Sequence, residues 1–396
     1  MPAYIIDIGK NTTFEHIEGY YDRLYQAQAL GTNVEILLPV SFQKSYPGIV
    51  PAMLQFIVTW IRIGNAGRLL IDIENTEKAT IEYLYKNELI FPAVLLNWNI
   101  GGVFTKDGIS LKGFLNFKNR EFISTMLAGR SITHKLMLIN FDHLADEFQL
   151  PCFGTRYEFI GNQYSLLKNL QSGMQEVFYH MQLIPEFVNI YPSVIAIIYE
   201  LMKNTFEWGK EDENNVPLDT NIRGVLFKFL KRPRKSLIRD FANHKGLSRY
   251  FADPHHKENP MGELYFVEIS IFDGGIGFAR KFRSKRKDAE ELSEIDILKL
   301  CLIKHQTSSR ALEKDDKGIG LDRMLRVLDG KGFLRIKTGD LCVYRDLIAD
   351  GYLDEQDAQK MLLYDWKTKS SETYTTYKRA EGAVLTIIYP LAINLS

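Results

Sequence analysis

The chain of 396 residues is long enough for two domains, and its 45% apolar share can fill two cores. Lys and Arg number 49 and Asp and Glu number 49, so net charge gives no ground for a nucleic-acid or anionic-membrane partner. The three cysteines, Cys152, Cys301 and Cys342, lie far apart without C-x-x-C spacing; that excludes a disulfide framework or zinc finger and reads as buried thiols of a reducing compartment.

In chain order, Met1-Pro2-Ala3-Tyr4 lacks the charged and apolar regions of a secretory signal. The first half then alternates strand and helix signals. Residues 4–8 read as a strand and 13–30 as a helix, with Ile17, Tyr20, Tyr21, Leu24 and Tyr25 on one side. A strand follows at 33–40, a buried helix at 49–63, a strand at 68–73, a helix at 77–87 and a further strand at 91–98. This rhythm predicts an α/β domain over residues 1–125, in a sensor or partner-binding role. No catalytic constellation stands out there, and His16 reads as a surface residue. Residues 126–156 are expected to connect it to a second domain over 157–396. That domain opens with a helix at 163–180 and a longer one at 191–208, with Pro192 suited to the first turn and Gly209 to the end. The apolar stretches 49–61 and 187–202 are broken by Pro51 and Gln55, and by Asn189, Pro192 and Glu200. Neither gives the roughly 20 uninterrupted apolar residues of a membrane span. The expectation is a soluble, cytoplasmic protein with no membrane partner.

Chemistry gathers in four segments of the second half. On the long helix, Glu200 and Asn204 are four apart and share a face beside the apolar stripe of Val194, Ile197, Ile198, Leu201 and Thr205. The carboxylate can deprotonate a water, and the amide oxygen can ligate Mg²⁺, a hard cation; a solvated helix edge is the plainer alternative. Next, Val267–Phe278 reads as a strand running into Asp273-Gly274-Gly275-Ile276-Gly277. A carboxylate there can accept from an amine such as adenine N6, and Gly275 and Gly277 let backbone approach a flat ligand. Third, Lys317-Gly318-Ile319-Gly320-Leu321 opens a helix carried by Leu321, Met324, Leu325 and Leu328, a start suited to phosphate. Thr307-Ser308-Ser309-Arg310, just upstream, is polar enough to close over a nucleotide. Last, residues 382–390 are a closing strand introduced by Gly382 and stopped by Pro390.

In order and spacing these segments resemble the GHKL ATPases (the Bergerat fold), which include the gyrase B subunit, the MutL repair proteins and histidine kinases. The resemblance covers residues 157–391. It implies a two-layer α/β sandwich, a mixed sheet covered by helices on one face, binding ATP with Mg²⁺. By resemblance, Glu200 is the general base and Asn204 the Mg²⁺ ligand bridging to the phosphates. Asp273 reads adenine while Gly275 and Gly277 make room for it. Gly318, Gly320 and Leu321 belong to the phosphate-side box, and Lys317 and Arg310 are candidates for phosphate charge. Relatives bring a downstream lysine to the γ-phosphate; here Lys317, Arg310 or a partner would stand in. Ala383 occupies the place of a threonine that supports the aspartate in many relatives, and Thr386 on the same strand is the candidate substitute.

The resemblance implies an ATPase, a hydrolase acting as a switch on a protein partner or a second protomer. The alternatives are a kinase of the anti-sigma serine or histidine type, or a non-hydrolysing nucleotide sensor. A histidine kinase needs a phospho-acceptor; His180 lies close before Glu200 and has no acidic neighbour. Basic clusters at 228–239 (Lys228, Lys231, Arg232, Arg234, Lys235, Arg239) and 280–287 (Arg280, Lys281, Arg283, Lys285, Arg286, Lys287) leave nucleic acid as a less favoured partner. His255 and His256 read as surface residues.

Overall fold

A computed structural model describes residues 3–43, 46–64, 66–131, 134–179, 183–303, 320–353 and 357–391. The first part contains β1 (Tyr4–Asp7), α1 (Phe14–Ala29), β2 (Val34–Pro39), α2 (Ile49–Arg62), β3 (Ala66–Asp72), α3 (Lys78–Leu84), α4 (Ile90–Asn97), β4 (Val103–Thr105) and α5 (Lys112–Leu127). After these come β5 (Lys135–Phe141), α6 (Gln163–Tyr179), α7 (Ile184–Trp208), β6 (Ile222–Pro233), α8 (Arg234–Asp240), α9 (Lys245–Ala252), β7 (Glu263–Asp273), α10 (Phe278–Lys285) and α11 (Glu294–Leu302). The chain ends with α12 (Gly320–Leu328), β8 (Phe333–Gly339), β9 (Leu341–Asp346), β10 (Tyr364–Asp365) and β11 (Ala380–Pro390). It is an α/β protein with two sheets, one parallel in the order β1-β2-β3-β4, the other antiparallel in the order β10-β9-β8-β11-β7-β6-β5.

Local chemistry explains the starts of these elements. The Thr13 side chain accepts from His16 N–H, and the His16 ring accepts from Thr13 N–H, a reciprocal cap on α1. The exposed His16 is therefore a capping residue. Helix α2 is buried at every position from Ile49 to Trp60, as a helix apolar all round requires. Two sheets bury it. Trp60 Nε1 donates to Val34 O of the parallel sheet at 2.9 Å. From the other side, Gly48 N donates to Glu268 Oε1 at 2.9 Å, and Gln55 Nε2 reaches Lys337 O at 3.3 Å. At Gly48, φ is +80° and a Cβ would lie 2.5 Å from Thr386 Oγ1, so the helix can start against β11 only with glycine.

Cross-strand pairing sorts the antiparallel sheet into two faces. One carries Ile269, Ile271, Leu385, Ile387, Leu334, Ile336 and Val225, and packs under α6 and α7, with α12 set against α7. The other carries Lys135, Lys228, Glu268, Ser270, Thr386, Arg335 and Lys337, and meets α1, α2 and the segment before α4. Lys337 pairs with Glu18 of α1 at 3.0 Å, Arg335 lies over Phe14, and Lys228 and Lys135 share Glu88 at 2.9 and 3.0 Å. The three lysines tolerate this because each has a carboxylate, whereas Arg335 rests on the rings of Phe14 and Trp366 with Nε and Nη1 lacking a hydrogen-bond partner among the described residues.

Several expectations are corrected. The large sheet is antiparallel, not mixed, and helices cover both faces, not one, because α1 and α2 pack on its polar side. The apolar run at 91–98 belongs to α4, buried throughout; such a run lacks a period that separates strand from helix. The connecting segment 126–156 contributes β5, paired to β6 from Lys135↔Lys228 to Phe141↔Ile222. One hydrophobic core of the described residues runs through both sheets. Finally, α7 starts at Ile184 with Pro185 in its first turn, and Pro192 is interior. Among the described helices α7 alone is long and apolar enough to cross a bilayer; its apolar side is spent on α6, α12, β6 and β7.

Candidate functional site

The site lies where the C-terminal end of α7 reaches the last residue of β7. Asp273 closes β7, paired across to Arg223 of β6 and Ala383 of β11. Its Oδ1 accepts Gly275 N–H at 2.8 Å, which shapes the glycine turn. Gly209, capping α7, comes so near that a Cβ there would lie 2.9 Å from Asp273 Cβ. A Cβ on Gly275 would lie 2.8 Å from Asp273 Oδ1 and 2.9 Å from Gly209 Cα. Gly277 has φ +81° and a Cβ there would meet Thr338 Oγ1 at 2.9 Å. The carboxylate thus sits among glycines that leave its approach clear of side chains.

Burial raises the Asp273 carboxyl to about 6, against the lowering effects of Gly275 N–H, Arg62, Arg223 and the Ala383 backbone. The residue still keeps part of its surface open. Its surroundings are firmly built. Arg223 makes a fork to Asp142, Nη2 to Oδ1 at 2.6 Å and Nε to Oδ2 at 2.8 Å. Asn221 donates to Asp142 Oδ2 at 2.6 Å and Gly209 O at 2.7 Å, and accepts from Arg62 Nη2 at 3.0 Å. Arg62 Nη1 donates to Gly275 O at 3.0 Å from the far side of the turn.

Glu200 and Asn204 lie further back along α7, both half-buried. Glu200 faces the first residue of α12, where a Cβ on Gly320 would lie 2.9 Å from Glu200 Oε2. One turn into α12, Arg323 Nη1 contacts Glu200 Oε1 at 3.4 Å. Leu321 is buried, anchoring α12 to the core instead of lining the cleft. From Glu200 to Gly209 the axial rise is about 13 Å. A carboxylate with a cation of α12 stands at one end, and the Asp273 carboxylate among glycines at the other.

Thr386 is not brought to this group. It pairs with Ser270, accepting from its hydroxyl at 3.2 Å, and lies against Gly48 on the α2 side of the sheet. It is three residues from Ala383, and an odd offset along a strand changes face. A threonine does occur on the Asp273 side. Thr338 of β8 pairs with Ala383, donates to Gly382 O at 3.2 Å and accepts Phe278 N–H at 3.1 Å. Arg310, Lys317 and Gly318, with the segment 307–309 and His180, lie outside the described residues.

The sequence reading missed Arg62, Asn221, Arg223, Arg323 and Thr338. Only Arg323 had a local signal, one turn after the helix-opening Gly320. In the basic clusters, Lys231 pairs with Glu263, Arg232 with Asp240, Arg234 with Glu258, Arg280 with Glu213 and Arg286 with Asp288. The first cluster begins on strand β6, so it is not one helix face. His256 is buried against Tyr250, contrary to its expected exposure. No three His, Cys, Asp or Glu side chains gather into a metal site among the described residues.

Comparison with protein-family models, with curated proteins and with solved structures finds no match to this chain.

Proposed function

We propose that the α7–β7–α12 cleft binds ATP with Mg²⁺ and hydrolyses it, in the manner of the GHKL ATPases that the four segments resemble. The observation that supports this most is the separation along α7 of two unlike ends. A carboxylate acceptor among glycines suits an amino-purine, and about 13 Å away Arg323, on the first described turn of α12, suits phosphate. Asp273 accepts from the base amine, and the glycines at 209, 275 and 277 leave room for the ring. Asn204, one turn along α7 from Glu200, offers an amide oxygen. Mg²⁺ usually takes one or two protein oxygens plus substrate phosphates, so a single Asn fits it; bound there, the metal supplies charge neutralisation on the phosphates. Glu200 orients and deprotonates water, and Arg323 compensates charge at the terminal phosphate. The turnover switches contacts with a protein partner or a second copy of the chain. Carboxylates beside both basic clusters make nucleic acid the weaker candidate.

Phosphate release by wild type and Glu200→Gln tests this reading. ATP binding retained with release reduced at least 100-fold is the expected result. Equal release from both proteins overturns hydrolysis through Glu200. Near-zero release from both with ATP bound identifies a sensor, and transfer of labelled phosphate to protein identifies a kinase.

A further inference from the structure

A cavity of about 180 Å³ opens at the other end of α2, between the carboxyl end of β2 and strand β6. Cavities near 150 Å³ hold a benzene ring, so this one has room for a small organic molecule. Its apolar wall is Val40, Phe42, Ile49 and Val50. Its polar wall carries Lys86, Glu88 and Lys228. Glu88 Oε1 is already shared by Lys228 at 2.9 Å and Lys135 at 3.0 Å. Glu268, opposite Lys228 on β7, also attracts that ammonium, while its Oε1 accepts from Gly48 N–H and the Ser270 hydroxyl, both at 2.9 Å. With Lys86, Lys135 and Lys228 set against Glu88 and Glu268, one ammonium group stays in excess, and the exposed one is Lys86. The place is apt as well, since ligands of parallel α/β sheets gather at the carboxyl ends of the strands.

Helix α2 joins this cavity to the aspartate turn. Its first residues, Ile49 and Val50, form the cavity wall. From about 9 to about 20 Å along, Gln55 donates to Gly382 O at 3.4 Å, Glu381 N–H donates to Thr59 Oγ1 at 2.9 Å and Arg62 holds Gly275 O at 3.0 Å. A buried helix this tightly packed moves as a rod or not at all.

We infer that this cavity is an effector site for a small organic anion with an apolar body, and that α2 carries its occupancy to the Asp273 turn. The anion-binding part stands by itself; the coupling part rests on the nucleotide reading above.

Benzoate and benzylamine, alike in body and opposite in charge, are the probes, used with the full chain. Titration calorimetry should give benzoate a Kd of about 1 mM and benzylamine at least tenfold weaker binding. Lys86→Glu, at an exposed position, should remove that preference, and Ser41→Trp should fill the cavity and abolish benzoate binding. Saturating benzoate should change the affinity of a non-hydrolysable ATP analogue at least threefold. Equal binding of both probes, or benzoate binding unaltered in both variants, overturns the site. Benzoate binding with nucleotide affinity unchanged overturns the effector role. If the analogue does not bind at all, the nucleotide reading fails and the coupling with it, while the probe titration still decides the anion site.

Discussion

Asp273→Asn should weaken nucleotide binding while leaving the fold as stable or more so. The carboxylate is raised from 3.8 to about 6, chiefly by burial. Holding it ionised at neutral pH costs the fold on the order of 2–3 kcal/mol, the upper figure belonging to full enclosure. The sign follows from proton binding. Between pH 4 and pH 6, roughly, the folded protein holds a proton at Asp273 that the unfolded chain has released, so stability falls as pH rises through this window. An asparagine keeps an oxygen for Gly275 N–H, now 2.8 Å from Oδ1, and removes the ionisation cost. Urea unfolding at pH 7.5 should therefore give an unchanged or higher midpoint, with a gain of up to about 2 kcal/mol, and a flatter dependence on pH. Binding should go the other way. Loss of a charge-assisted acceptor costs about 1.5–3 kcal/mol, a tenfold to hundredfold rise in Kd for a fluorescent ATP analogue. Wild-type affinity should fall as pH drops below about 6, where the acceptor takes up its proton. A mutant Kd within twofold of wild type at pH 7.5 would refute the assignment of Asp273 to the base.

Two other substitutions probe the ends of the cleft and the frame behind it. Arg323→Ala removes a side chain that is 43% exposed, so stability should change by less than about 1 kcal/mol; ATP affinity should drop at least tenfold and ADP affinity far less, and an unchanged ATP-to-ADP ratio would remove Arg323 from the terminal phosphate. Gly382→Ala places a Cβ 1.9 Å from Asp273 O at a φ of +73°; neither β11 nor β7 can retreat, and a loss of at least about 3 kcal/mol is expected in denaturant unfolding, so an unshifted midpoint would contradict the bulge between Ala380 and Ala383.

Sequence disclosed what is local. Helix α1 follows from apolar spacing, α2 from the length of its apolar run, and the strand-to-glycine turn at Asp273 from residue type. The side-by-side placement of Glu200 and Asn204 follows from helix geometry. What it withheld depends on which strand lies beside which. Thr386 and Ala383 differ by three positions, so period two already placed them on opposite faces, but the identity of the threonine on the Asp273 side required the pairing of β8 with β11. Arg62 reaches Gly275 from 213 residues away, and no local pattern encodes that contact. The run at 91–98 was ambiguous for a physical reason, because burial on all sides erases the periodicity that distinguishes helix from strand.

The position of α2 narrows how the proposed switch can work. A movement that pulled the two sheets apart would expose a helix buried over its first twelve residues, Ile49 to Trp60. It would also strand the polar side of the large sheet. Lys337 would lose Glu18, and Lys228 would lose Glu88. Breaking one buried pair costs about 3–5 kcal/mol, and these two lie on a single face. ATP binding supplies free energy of similar size only when it is tight, so separation along that face is a poor candidate for the switched step. The opposite face differs. Between α7 and α12 the ion pair is Glu200 with Arg323, spaced at 3.4 Å and with the arginine 43% exposed, a contact worth less than about 1 kcal/mol. Ligand phosphate can compete for Arg323 at small cost. A conformational signal is therefore expected on the α12 side of the cleft, with the α2 side serving as the fixed frame through which a small displacement of the aspartate turn can be imposed.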